Sequence, residues 1–119
     1  MSKELKNRTK IFSIAVIDLV EKIDYSISKK VVMTQLVRSA TSVGANYHAA
    51  CRARSDREFI AKLNIVLEEA DECCFWLEIV ECKKWAGVTS ILAEANELTA
   101  IFVTSLKSMN EKRTLKIRN

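Results

Sequence analysis

The sequence predicts an all-α chain, and three observations carry that reading. Only two glycines and no proline occur in 119 residues, and both residues punctuate turns, so their scarcity predicts long helices with few, short connections. Apolar residues recur at three- and four-residue spacing over four long stretches, the signature of one buried helix face. The length supports one core and not two. Four helices with short connections close into an up-down-up-down bundle, a single domain over residues 1–119.

The first helix is predicted over about 8–28, where Phe12, Val16, Leu19, Ile23 and Ile27 share a face and Ile14 and Ile17 lie off it. The second runs over 30–53, with Leu36, Ala40, Val43, Tyr47, Ala50 and Cys51 as its core stripe. Beside that stripe lie the small residues Ser39, Ser42, Asn46, Ala49 and Ala53, which invite a close neighbour, with Asn46 expected to hydrogen-bond across the contact. Gly44 in mid-helix costs about 1 kcal/mol relative to alanine, which predicts close backbone packing there. Ser55-Asp56-Arg57-Glu58 spells a capping box that starts the third helix, expected over 56–85. Gly87 is placed to end it. The last helix is predicted over 89–110, and the basic tail 111–119 as a frayed end.

The third helix carries apolar residues on two faces. Phe59, Leu63, Val66, Ala70, Cys73, Leu77 and Val80 face the core. Ile65, Glu69, Glu72, Trp76 and Ile79, with Phe75 close by, form another side, which predicts a subunit interface. Glu69 and Glu72 there are expected to pair with arginine. The four cysteines lack C-x-x-C or histidine spacing and read as reduced, small hydrophobes.

A net charge of +4 hides an uneven distribution: residues 63–82 hold six acids and no base, and the segments on either side are basic. On the second helix Arg38, Thr41, Ala45, His48 and Arg52 line up, and Arg54 follows. Arg38, His48, Arg52 and Arg54 are the candidate nucleic-acid contacts, since phosphates need clustered cations without fixed spacing. No charge-free apolar run reaches the roughly 18 residues of a membrane span, and the polar start, with Asp18 and Glu21 behind it, lacks a secretory core. A cytoplasmic protein without cofactor is expected.

One enzymatic alternative stands beside these readings. Glu68, Glu69 and Glu72 spell E-E-x-x-E, and Glu94 with Glu97 spell E-x-x-E, a pattern able to hold magnesium and a nucleotide triphosphate. It resembles the all-α nucleotide pyrophosphohydrolases, whose second pair ends in aspartate where this chain has Glu97.

A more specific resemblance runs through R-S-A-T-S-V-G-A-N-Y (Arg38 to Tyr47), R-A-R-S (Arg52 to Ser55), E-F-I-A-K-L (Glu58 to Leu63), E-A-D-E (Glu69 to Glu72) and F-W-L-E (Phe75 to Glu78). This ordered series resembles the bacterial family named for open reading frames in 23S rRNA intervening sequences. The resemblance implies a four-helix bundle assembled as a ring-shaped homopentamer, without catalytic residues. It also implies kinship with the accessory variability determinant of diversity-generating retroelements, a basic pentamer that binds nucleic acid and a reverse transcriptase. Departures are His48, where the subfamily often has arginine, and Asn64, where it often has glycine; other branches carry Glu and Gly at the positions of Ala49 and Ala50. The expectation is a non-enzymatic homo-oligomeric adaptor or nucleic-acid-associated accessory protein. Its candidate partners are RNA or DNA and a reverse transcriptase or other protein; a protein-only scaffold is the rival binding reading.

Overall fold

The computed structural model describes residues 2–118, Ser2 by its backbone alone. It comprises α1 (Ser2–Glu21), α2 (Ile27–Ala50), α3 (Asp56–Lys83) and α4 (Thr89–Arg118), with no strand among the described residues. Each helix packs on the next and α1 also packs on α4, while among the described residues the backbones of the diagonal pairs α1–α3 and α2–α4 come nowhere within 8 Å, Cα to Cα. One core therefore runs down the middle. Val16, Leu36, Val43, Leu63, Val66, Leu77, Leu98 and Phe102 are fully buried in it, each contributing about 1.5–3 kcal/mol by leaving water.

Helix α1 comes close to α2 at Gly44. A Cβ built there would meet Ser13 Oγ at 2.8 Å, and that hydroxyl donates to Thr9 O at 3.0 Å and Ala40 O at 2.8 Å. The mid-helix glycine thus lets α1 cross α2 tightly, as its position predicts. Ser39, fully buried, accepts from Cys73 Sγ across the α2–α3 seam at 3.3 Å. Asn46 departs from expectation: its amide donates to Ser42 O and Oγ on its own helix, at 3.0 and 2.9 Å.

The first turn lies earlier than predicted. Ser26 caps α2 by accepting from the Lys29 N–H at 3.1 Å, so α1 ends at Glu21, and Ile27 opens α2 as a solvent-facing residue instead of closing α1's core stripe. Helix α1 also begins well before residue 8, because Leu5 extends the stripe onto the core. At the α2–α3 turn, Ser55 Oγ accepts from the Glu58 N–H at 3.1 Å, as the capping box requires. The Glu58 carboxylate accepts from Arg54 N at 3.3 Å, one residue before the Ser55 N–H that the pattern specifies.

Helix α3 stops two residues before the predicted boundary, and not through Gly87. Lys84 takes the left-handed conformation (φ 58°, ψ 35°), while the Trp85 N–H donates to Val80 O at 3.1 Å. No glycine has a positive φ. A side chain in that region costs about 1–2 kcal/mol, so Lys84→Gly is expected to stabilise the fold by about 1 kcal/mol, read as a higher urea midpoint with unchanged slope.

The basic tail, expected to fray, is helical to Arg118, with Asn119 outside the described residues. Asp56, at the first turn of α3, holds it: Lys116 Nζ lies 2.7 Å and Lys112 Nζ 3.8 Å from Asp56 Oδ2. The hydrogen bond from Lys116, with Lys112 close by, lowers the Asp56 pKa. A carboxylate with a depressed folded pKa contributes above its unfolded value and loses that contribution as pH falls through the folded one. The latch is thus engaged at neutral pH and released in acid. Asp56→Asn is expected to speed tryptic cleavage after Lys112 and Lys116 at neutral pH while leaving the far-UV spectrum of the bundle intact.

Cys73 and Cys74 are buried, Cys51 is half-buried and Cys82 is exposed, all as free thiols. Burial pushes the Cys73 thiol up to about 12 and raises Cys74, so both behave as the small hydrophobes expected. Burial likewise raises the Tyr47 hydroxyl to about 12.

Candidate nucleic-acid interface and assembly face

Arg38 is the most constrained of the four candidate nucleic-acid contacts. Its guanidinium donates to Glu69 at 2.8 Å, to Glu72, and to Gln35 Oε1 at 3.0 Å. Trp76 Nε1–H donates to the same Glu72 carboxylate at 3.1 Å. Two carboxylates from α3 therefore neutralise this arginine of α2, which joins the two helices instead of standing free for a phosphate. Glu69 and Glu72 find the arginine partner expected of them, within their own chain.

The other three candidates cluster at one end. Arg52 makes no ion pair among the described residues, Arg54 makes only a loose one to Glu58 at 3.7 Å, and both are exposed. His48 Nε2 lies 3.3 Å from Lys6 O of α1. That contact brings α2's last turns against α1's first. Lys3, Lys6 and Lys10 of α1 line a shallow cleft of about 670 Å³ together with Glu4, Asn7 and His48. The Asp56 latch brings the cationic end of α4 to the start of α3. The result is a bundle end rich in lysine and arginine, with Glu4 on the cleft, Asp56 beside Lys112 and Lys116, and Glu58 beside Arg54. The α1 lysines were missed in the sequence; their spacing of three and four residues, a single helix flank, was the available signal.

The proposed interface side of α3 divides in two. Ile65 and Phe75 are exposed, at 40% and 55%, whereas Trp76 and Ile79 are half-buried and pack on the core cluster. Phe75 stacks edge-on against Trp76 with centroids 4.9 Å apart. A second apolar ridge, not assigned in the sequence, stands on α1: Ile11, Ile14 and Ile17 are all exposed. Since α1 and α3 stand diagonally opposite, with no backbone approach within 8 Å among the described residues, these two surfaces lie on separate flanks of the bundle.

The acidic pairs considered as magnesium ligands are parted as well. Glu69 and Glu72 bind Arg38 on the α2 side of α3, while Glu94 and Glu97 bind Arg8 of α1 at 2.7 and 2.9 Å. Arg8 grips Glu94 with two nitrogens, the stronger, orienting form of the contact. Glu94 and Glu69 hold their arginine partners above the ordinary guanidinium range. The four carboxylates thus serve two different seams, α2–α3 and α1–α4, and do not converge across α3 and α4.

These features define a single-domain, all-helical four-helix protein with ion-paired seams and a basic end. The chain belongs to the 23S rRNA-intervening sequence protein family, whose model matches residues 3–104. It is similar to a crystallised protein of unknown function from the S23 ribosomal protein family of Bacteroides thetaiotaomicron VPI-5482. The two share 30% identity and a TM-score of 0.78 over 89% of this chain and 97% of the other. No curated protein matches the chain. Among the described residues no helix is long and apolar enough to cross a membrane.

Proposed function

We propose that the protein is a homo-oligomeric, non-enzymatic accessory protein that holds nucleic acid by its phosphate backbone and serves as an adaptor for a protein partner. The observation that carries this reading is the basic bundle end, where Arg52 and Lys3, Lys6 and Lys10 make no ion pair among the described residues, while Arg8 and Arg38 are consumed by glutamates. Uncompensated cations attract a polyanion and release its counterions, a binding mode that needs no fixed motif. The short connections and the neighbour-to-neighbour packing support an up-down-up-down course for the chain. Repetition of a modest basic end around a ring multiplies its phosphate contacts.

Retention on single-stranded RNA and on duplex DNA is expected to fall linearly on a log–log plot against salt. Arg52→Ala with Arg54→Ala is expected to reduce that slope by about 1.4 on the single strand and about 1.8 on the duplex, whereas Arg38→Ala, which removes a charge already neutralised, leaves it unchanged. Retention that ignores salt, or none at low salt, sinks the nucleic-acid reading and leaves the protein-only scaffold.

A further inference from the structure

We propose that the cleft formed by Lys3, Lys6 and Lys10 of α1 with His48 of α2 is a binding site for a run of phosphate groups, as in an RNA backbone or an inorganic polyphosphate. It rests on the nucleic-acid reading above and gives that reading a location, on α1, which the helix-two stripe alone does not. From Lys3 to Lys10 the helix rises about 10 Å, close to the axial rise of about three nucleotides in one strand. The three ammonium groups make no ion pair among the described residues, in contrast to Arg8 on the same helix. Glu4 is the one carboxylate on the cleft, set against three lysines.

The lining also decides between ligand classes. It holds no aromatic ring other than the imidazole and no large apolar side chain, so an apolar knob from a protein partner meets only lysine stems and a nucleobase has no broad stacking platform. Phosphate is the chemistry that remains, and recognition is indifferent to base sequence. His48 ties the cleft together. With Lys6 O as acceptor at 3.3 Å, the hydrogen sits on Nε2, so the ring joins α2 to α1 at the wall of the cleft.

The test uses the full chain, fluorescently labelled oligouridylate and oligoadenylate, and inorganic tripolyphosphate as competitor, followed by anisotropy over a salt series. Lys6→Gln with Lys10→Gln is expected to raise Kd about tenfold and to lower the log–log salt slope by about 1.4, the value for two single-strand phosphate contacts. Both oligonucleotides are expected to bind alike and tripolyphosphate to displace them. Lys83→Gln with Lys84→Gln, the same charge change at the other end of α3, is expected to leave binding unchanged. Thermal melts of both variants confirm that each is folded.

An equal loss in the two double variants overturns the site in favour of a diffuse field. Unaltered RNA binding by Lys6→Gln with Lys10→Gln overturns the site while the nucleic-acid reading stands. Tripolyphosphate binding to this cleft without RNA binding supports the site and removes the nucleic-acid reading. Failure of the unmodified protein to bind any probe overturns both.

Discussion

Phe102→Ala is expected to lower the unfolding free energy by about 3–5 kcal/mol, the range for deleting a buried aromatic side chain. Phe102 is fully buried at the centre of α4 and lies 5.8 Å, centroid to centroid, from Tyr47 of α2 in a tilted pair. Those two helices do not otherwise approach each other, so this ring bridges the diagonal of the core. Truncation loses apolar burial, leaves a cavity in the core, and removes the aromatic pair. For a domain of this size the total is typically about 5–15 kcal/mol, so the variant is near the edge of folding. Urea titration followed by far-UV circular dichroism measures the loss, and a cost below about 1 kcal/mol would show that the core relaxes around the gap. Phe102→Leu, which retains most of the volume, is expected to recover more than half of the deficit.

The core stripes were readable because periodicity is a local property. Leu36, Ala40, Val43 and Tyr47 on α2, and Leu63, Val66, Ala70 and Cys73 on α3, recur at helical spacing and are buried as that spacing requires. The Ser55 cap was readable for the same reason, since its partner is three residues away. Boundaries without a breaker were harder. Ser26 is followed by Lys29 where a capping box has glutamate, so nothing marked the α1–α2 turn, and Lys84 enters the left-handed region without being glycine.

Side-chain pairs that are distant in sequence were hardest of all. Arg38 looked like a member of a basic stripe because its neighbours at helical spacing are visible in the sequence. The two carboxylates that claim it lie 31 and 34 residues away. Similarly, Asp56 stabilises the α4 extension through Lys116, 60 residues on. The candidate site shifted accordingly: His48 of α2 and Arg52, just past its end, stay at the basic end, Arg38 leaves for a helix seam, and α1 contributes lysines that a stripe drawn on one helix does not include.

Assembly is expected to be lost through either of two substitutions on different helices. In solution, light scattering should give a mass several-fold above the 13.5 kDa of one chain, and Phe75→Glu should reduce it to the monomer value. Phe75 is 55% exposed and points away from the core, so the charge is tolerated in an isolated bundle and penalised only in a desolvated interface. Trp76 and Ile79 are poor probes, because they pack on the core and their loss would unfold the chain as well. A ring imposes a further condition: its contacts are heterologous, so each subunit must offer two different surfaces. The exposed α1 ridge of Ile11, Ile14 and Ile17 is the surface proposed for the second contact, on a flank separate from Ile65 and Phe75. Ile14→Glu is therefore expected to give the same monomer as Phe75→Glu, and mixing the two variants is expected to restore only open dimers, since each retains one intact face. A self-complementary contact through α3 alone predicts instead that Ile14→Glu leaves the assembly intact. A monomeric unmodified protein at micromolar concentration would show that both exposed ridges serve a partner other than this chain.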